Sequence, residues 1–156
     1  MEFLCPHHRS QFAQLTLDER KDLWSFWMDT AYGSCEQGQW QDVVSLVGSA
    51  FDLACLDGPD PTPGLFTELT LSAILVSRVL TDLGDHAATR RVTFRALQRL
   101  QSCYAFAPAE AHGELELCVT VLMDTTRQPS FFSDHMNWQT RPFTQPERAW
   151  RVRTLH

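Results

Sequence analysis

Apolar residues recur three and four positions apart along most of the first 126 residues, which is the spacing of one face of an α-helix. No segment alternates apolar and polar residues as a half-buried strand does, and no Asn-Gly or Asp-Gly hairpin joins two apolar runs. The pattern therefore predicts an all-α chain of about five helices, packed as antiparallel helical hairpins.

The first long helix is expected to begin at a capping box. Thr16 can accept a hydrogen bond from the amide of Glu19, and the Glu19 side chain can accept one from the amide of Thr16. The helix then runs to about residue 37, because Gly38 readily takes the left-handed conformation that ends helices. Its buried stripe is predicted to be Leu23, Phe26, Trp27, Thr30, Ala31 and Ser34.

Two more helices are expected at residues 40–56 and 64–83, on either side of a segment rich in proline and glycine. Thr62 is the predicted N-cap of the second of these, and Pro63 suits its first position. This helix is apolar almost all round, so we expect it to lie at the centre of the fold with neighbours on several sides.

The last two helices are expected at residues 86–104 and 108–126. The inner positions of the second one are predicted to be Leu115, Cys118, Val119, Leu122 and Met123. Beyond them three prolines interrupt the pattern, while aromatic residues keep the segment apolar. We therefore expect a helical domain over residues 1–126 and an irregular, aromatic-rich tail over 127–156 that packs on the same domain, with a short helix near 147–151.

Two of the predicted helix pairs share one plan. Gly38-Gln39-Trp40 and Gly84-Asp85-His86 end the first helix of each pair, and they lie 46 residues apart. Ala50-Phe51 and Ala96-Leu97 then occupy equivalent places in the helices that follow. Over residues 20–105 this plan resembles the tetratricopeptide hairpin, in which a glycine allows the tight turn and small residues let the helices pack closely.

The resemblance extends to Trp27 and Ala31, which lie about where that family places an aromatic and a small residue in its first helix. The spacing of 46 residues exceeds the family period of about 34 because of the proline-rich insert. The resemblance implies a tetratricopeptide-like array of hairpins. An unrelated compact helical bundle is the alternative.

Length and charge narrow the classes of function. The chain has 156 residues, 44% of them hydrophobic, which suits one domain with one core. Its net charge of −6 argues against nucleic-acid binding, and Glu68, Arg78 and Asp82 argue against the central helix crossing a membrane. The first six residues have no secretory pattern and five cysteines cannot all pair, so we expect a cytoplasmic protein.

A row of arginines is the strongest candidate for a binding surface. Arg91, Arg95 and Arg99 are four residues apart and share one face of the predicted helix 86–104. They could bind an acidic peptide or a phosphate group, or they could pair inside the chain with acids such as Asp52 or Asp57. The first reading makes the row a partner-binding site, and the second makes it part of the fold.

Cys5, His7 and His8 form the one local cluster with metal-ligand chemistry. Cys5 and His8 have the spacing of half a zinc site, but no second close pair of cysteine or histidine supplies the other half. The chain has no nucleophile elbow, P-loop or dinucleotide fingerprint, so no catalytic residue and no cofactor is predicted. The favoured hypothesis is a non-enzymatic helical scaffold that binds a protein or peptide, and the alternative is a small zinc-binding or metal-stabilised regulatory protein.

We expect purified protein to carry little zinc, and the substitution Cys5→Ser to change thermal stability only slightly. The reason is that a structural zinc site needs about four ligands, and the sequence places only half of them together. Metal analysis and melting curves of both forms check this. Near-stoichiometric zinc that is lost in Cys5→Ser would support the metal-binding alternative.

Overall fold

The structure, a computed structural model, describes residues 2–57 and 64–138, and every regular element in these two ranges is a helix. The seven α-helices are α1 (Pro6–Phe12), α2 (Leu17–Glu36), α3 (Trp40–Cys55), α4 (Phe66–Asp82), α5 (His86–Tyr104), α6 (His112–Met123) and α7 (Gln128–His135). Short 3-10 turns, Ala109–Ala111 and Thr125–Arg127, precede α6 and α7. From α2 to α5 each helix packs against the next, so the predicted all-α fold of helical hairpins is confirmed.

Local capping chemistry determines where the long helices begin and end. The amide of Glu19 donates to Thr16 Oγ1 at 3.2 Å, and the amide of Thr16 donates to Glu19 Oε1 at 3.0 Å, as predicted for the capping box. Gly38 and Gly84, with φ of 70° and 85°, follow α2 and α4 in the left-handed conformation that a side chain would strain. Both turns are therefore tight enough to bring successive helices side by side.

Helix α4 is the centre of the fold, as its apolar sequence predicts. It packs against α3, α5, α6 and α7, and Trp24 of α2 approaches it with the indole Nε1 3.5 Å from Ser72 Oγ. The buried hydroxyls of Thr70 and Ser72 donate to carbonyl oxygens one turn earlier in α4, so neither is left without a hydrogen bond. Among the residues that the structure describes, no helix is long and apolar enough to cross a membrane.

The start of α4 differs from the prediction. The proposed cap, Thr62, and Pro63 lie outside the described residues, and the helix begins at Phe66 rather than at residue 64. Leu65 is its N-cap and provides no side-chain hydrogen bond. Burial of Leu65 and Phe66 against the core therefore holds this end of the helix, in place of a capping side chain.

The predicted stripe of α2 is wrong by about one position. The buried residues of this helix are Arg20, Trp24, Met28, Ala31 and Cys35. Of the predicted set only Ala31 is fully buried, while Phe26 is 64% exposed and Thr30 is also exposed. The apolar pattern of the sequence does not show the buried face, because a charged residue, Arg20, lies on the buried side of the helix and a large aromatic residue, Phe26, lies on the exposed side.

Two predictions about the C-terminal third are also corrected. The expected helix 108–126 is shorter, and Met123 at the end of α6 is 73% exposed because Val121 and Leu122 take the inner positions of its last turn. Residues 128–135, expected to be irregular, form α7, where Pro129 falls in the first turn and removes no helical hydrogen bond. The predicted short helix near 147–151 lies outside the described residues.

Helix α7 and the residues after it dock on the core. Phe131, Phe132 and Trp138 are buried, with the Phe132 and Trp138 rings 5.3 Å apart and nearly perpendicular. Trp138 also meets Tyr32 of α2 at 5.0 Å between ring centroids. The described part of the tail therefore packs on the helical domain and connects α7 to α2.

The substitution Phe132→Ala is expected to lower the free energy of unfolding by about 3–5 kcal/mol, because it leaves a cavity under α7 where the side chain is 1% exposed. The control Phe106→Ala removes a ring that is 84% exposed and should change stability by less than about 0.5 kcal/mol. Urea denaturation measures both. Equal midpoints for the two variants would contradict the docking of α7.

Candidate functional site

A buried carboxylate organises the surface that α3 and α5 share. Asp52 in α3 is completely buried, and its Oδ2 accepts hydrogen bonds from the amides of Phe3 at 2.5 Å and Leu4 at 2.7 Å. Its Oδ1 accepts a hydrogen bond from the guanidinium of Arg95 in α5. One side chain therefore joins three parts of the chain that are more than forty residues apart in sequence.

This set of partners explains why a charge can be buried here. A carboxylate taken out of water is costly unless it is both paired and hydrogen-bonded, and Asp52 has one cation and two amide donors. Arg95 gains a second contact, because its guanidinium carbon lies 5.1 Å from the centroid of the Phe51 ring. Arg95 is thus held against α3 by both charge and ring.

The N-terminal segment (residues 2–5) lies on α3 above a glycine. A Cβ atom added to Gly48 would lie 2.3 Å from Phe3 Cδ1, so the Phe3 ring occupies the space that any other residue would fill. Gly48 precedes Asp52 by one helical turn, and both therefore lie on one face of α3. Together they form a recess, which we call the Gly48–Asp52 recess, that takes a ring and two amide groups.

The predicted arginine row divides into two parts. Arg99 donates to Asp57 at 2.7 Å, so Arg95 and Arg99 both pair inside the chain with the acids that the sequence had suggested. Asp52 lies 43 residues before Arg95, and Asp57 lies 42 residues before Arg99. The position 43 residues before Arg91 is Gly48, which has no carboxylate. Arg91 is exposed and has no ion pair within residues 2–57 and 64–138.

Sequence reasoning missed a further arginine at the same end of α3. Arg20 is only 3% exposed, and its guanidinium donates to the carbonyl oxygen of Leu56 at 2.5 Å, just after the last turn of the helix. Burial lowers the pKa of Arg20, and the nearby positive charge of Arg99 lowers it further. The signal in the sequence is a charged residue one turn before Trp24, on what would otherwise be an apolar face.

The exposed side of α5 combines charge with an aromatic ring. Arg90 and Arg91 are exposed, and neither has a carboxylate partner in the described part of the chain. Phe94, which is 66% exposed, follows Arg90 by four residues and Arg91 by three. All three side chains therefore lie together on the surface of the helix. We call Arg90, Arg91 and Phe94 the α5 face.

The structure brings together two of the three predicted metal ligands. Cys5 Sγ lies 3.1 Å from His8 Nδ1, while the His7 ring is 5.7 Å from that of His8, and all three residues are exposed. Within residues 2–57 and 64–138 no group of three or more cysteine, histidine or acidic residues is placed to hold a metal ion. Metal binding by Cys5, His7 and His8 stays a prediction.

The cysteines are free thiols with little nucleophilic character in the core. Burial raises the pKa of Cys35 and of Cys55 to about 12, and that of Cys118 to about 11. A thiol with such a pKa is protonated near neutral pH, so these three residues serve as small apolar side chains. Cys35 and Cys118 are buried in the core of the helical domain.

A shallow depression of about 270 Å³ lies where the α2–α3 turn meets the end of α4. It is lined by residues 38–42 and by Leu83. Asp42 is the only ionisable residue of that lining, so the depression offers no pair of groups for acid–base chemistry. The depression is therefore a weaker candidate for a functional site than the α5 face or the Gly48–Asp52 recess.

Comparison of this chain with models of protein families, with curated proteins and with solved structures gives no match. The tetratricopeptide resemblance accordingly stays a prediction. The structure shows the features on which it rests: left-handed glycines at 38 and 84, and fully buried alanines at 50 and 96 in the helices that follow.

The substitution Arg95→Gln should cost about 3 kcal/mol of stability, because it leaves the Asp52 charge buried without a cation. The matched control Arg91→Gln removes an exposed guanidinium one turn earlier and should be nearly neutral. Adding Asp52→Asn to Arg95→Gln should restore part of the loss, because the charge is removed while an acceptor remains for the amides. Urea midpoints measure all three variants. Equal midpoints for the two single variants would refute this account.

Proposed function

We propose that this protein is a non-enzymatic, cytoplasmic helical scaffold that binds an acidic segment of another protein through the α5 face. The observation that carries the proposal is that two exposed arginines, without an ion pair among residues 2–57 and 64–138, lie beside an exposed phenylalanine on one helix. Arginine and aromatic residues are the side chains that contribute most often to the energy of protein interfaces.

The chemistry of the α5 face indicates what it binds. Burying the ring of Phe94 calls for an apolar residue in the partner, and Arg90 and Arg91 call for carboxylates on either side of it. Because the chain as a whole carries a net charge of −6, an acidic ligand is repelled by most of the surface and attracted to this part of α5. Charge thus provides specificity, and the ring provides buried area.

The α5 face is also held rigid. The inner residues Ala88, Val92, Ala96 and Leu100 are fully buried, and Arg95 is bonded to Asp52. A partner therefore meets a surface that needs no reordering of the backbone, which lowers the entropy cost of binding. We interpret the pairs α2–α3 and α4–α5 as tetratricopeptide-like hairpins that supply this rigid support.

The second candidate function, metal binding at the N-terminus, rests on one contact. Cys5 Sγ and His8 Nδ1 are close enough to bind one ion together, and a thiolate with an imidazole is a suitable pair for zinc. The metal analysis described above distinguishes this candidate from the scaffold, because the α5 face requires no ion.

Binding to defined peptides tests the scaffold proposal. One set of peptides carries an aliphatic residue flanked by Asp and Glu, and a matched set carries Asn and Gln instead. The wild-type chain should bind the acidic set, and its affinity should fall steeply as the ionic strength rises from about 0.05 to about 0.5 M. The double variant Arg91→Gln/Phe94→Ala should bind about tenfold or more weakly, a loss of about 1.4 kcal/mol.

The control variant makes the same chemical changes elsewhere. Arg127→Gln/Phe106→Ala removes one exposed arginine and one exposed phenylalanine outside α5, and it should bind like the wild type. Equal binding by both double variants, or equal binding of acidic and neutral peptides by the wild type, would overturn the proposal.

A further inference from the structure

We propose that the Gly48–Asp52 recess is a peptide-binding site whose resident ligand is the chain's own Phe3–Leu4, and that a segment of another protein with a phenylalanine followed by a leucine binds there by displacing it. This site is separate from the α5 face and does not depend on the function proposed for that face.

The contacts of the resident segment define the ligand. The two hydrogen bonds to Asp52 come from the consecutive amides of Phe3 and Leu4, where the chain bends, so they select a bent backbone and no particular side chain. Selectivity comes from the side chains, because the Phe3 ring lies directly on Gly48 and Leu4 is only 8% exposed. The recess therefore recognises an aromatic residue, an aliphatic residue and the amides of both.

The hydrogen bonds of Asp52 allow the recess to bind a second peptide after the resident segment leaves. If the segment leaves, Asp52 keeps Arg95 as a partner, and water takes the place of its two amide donors. An incoming peptide that offers two consecutive amides restores those bonds. The recess can therefore exchange the resident segment for another peptide that makes the same two hydrogen bonds.

The segment can leave without unfolding the helix that follows it. Beyond the recess, residues 2–5 bond to α1 through Glu2–Arg9 at 2.6 Å and Cys5–His8 at 3.1 Å. Helix α1 itself is held by the Phe12 ring, which meets Trp27 of α2 at 5.6 Å. Release therefore requires rotation only around Cys5, just ahead of Pro6, where the backbone is already extended.

The test uses a fluorescein-labelled peptide that copies residues 2–6, with serine in place of Cys5, and the full-length chain. A tethered ligand competes at a high effective concentration, so the wild type should bind the peptide weakly. In Phe3→Ala the resident segment is a poorer competitor, and the peptide should bind about tenfold or more tightly than to the wild type. A peptide with alanine at the phenylalanine position should not bind either form.

Two double variants locate the binding. Phe3→Ala/Gly48→Ala fills the recess with a methyl group, yet it cannot clash with the resident ring because that ring has been removed. It should lose the peptide. Phe3→Ala/Gly33→Ala places the same methyl group in α2 where no atom lies within 4 Å, and it should bind like Phe3→Ala. Equal binding by the two double variants would overturn the proposal.

Hydrogen exchange provides a second measurement on the wild-type chain. The amides of Phe3 and Leu4 should be protected by Asp52, and excess unlabelled peptide should speed their exchange while the amides of α1 stay unchanged. No saturable binding to Phe3→Ala, with its melting curve intact, would refute the proposal. So would peptide binding to that variant while excess peptide leaves the exchange of these two wild-type amides unchanged.

Discussion

The buried charge of Asp52 is the constraint on which the arrangement of α3, α5 and the N-terminal segment depends. A carboxylate at this depth is tolerated only with a cation and several donors around it, and the fold provides Arg95 from one side and two backbone amides from the other. The rotation of α5 follows from its buried stripe, which includes Val92 and Ala96, and Phe94 lies on the opposite side of the helix and faces water. Arg95 lies at the edge of the buried stripe, from which it reaches Asp52.

The pairing between the two helices explains why one arginine of the row has no carboxylate partner in the part of the chain that the structure describes. Asp52 and Asp57 are spaced to meet Arg95 and Arg99, and the equivalent place for Arg91 is Gly48. The Phe3 ring occupies the space that a side chain at Gly48 would need, so a carboxylate at this position would displace the ring. Docking of the N-terminal segment and exposure of Arg91 therefore have a common cause, namely the lack of a side chain at one position of α3.

Those parts of the fold that depend on local chemistry could be predicted from the sequence. The capping box at Thr16 and the left-handed Gly38 and Gly84 act within one turn of chain, and the structure has all three where they were expected. Asp52 and Asp57 were named as possible internal partners for the arginines, but the sequence could not choose between pairing and exposure. That choice depends on the register of α3 against α5, which involves residues more than forty positions apart.

The predictions that were wrong or missing concern parts of the fold that depend on contacts between residues far apart in the sequence. The inner face of α2 was misjudged because burial there follows hydrogen bonding as well as polarity: Arg20 is buried to reach the carbonyl of Leu56, and Phe26 is exposed. Helices α1 and α7 have seven and eight residues, which is too short for an apolar period to be recognised. Both have aromatic contacts that lead to α2, directly from Phe12 of α1 and through Trp138 from Phe132 of α7, and such contacts leave no periodic pattern in the sequence.

Asp52 connects the Gly48–Asp52 recess with Arg95, which lies next to Phe94 of the α5 face but does not belong to that face. The N-terminal segment and Arg95 bind opposite oxygens of one carboxylate, so loss of the two amide donors leaves Arg95 as its principal stabilising partner. A ligand on α5 that also reached Arg95 would compete with Asp52 for the guanidinium. By linkage, such a ligand and a peptide in the recess must change each other's affinity by the same factor.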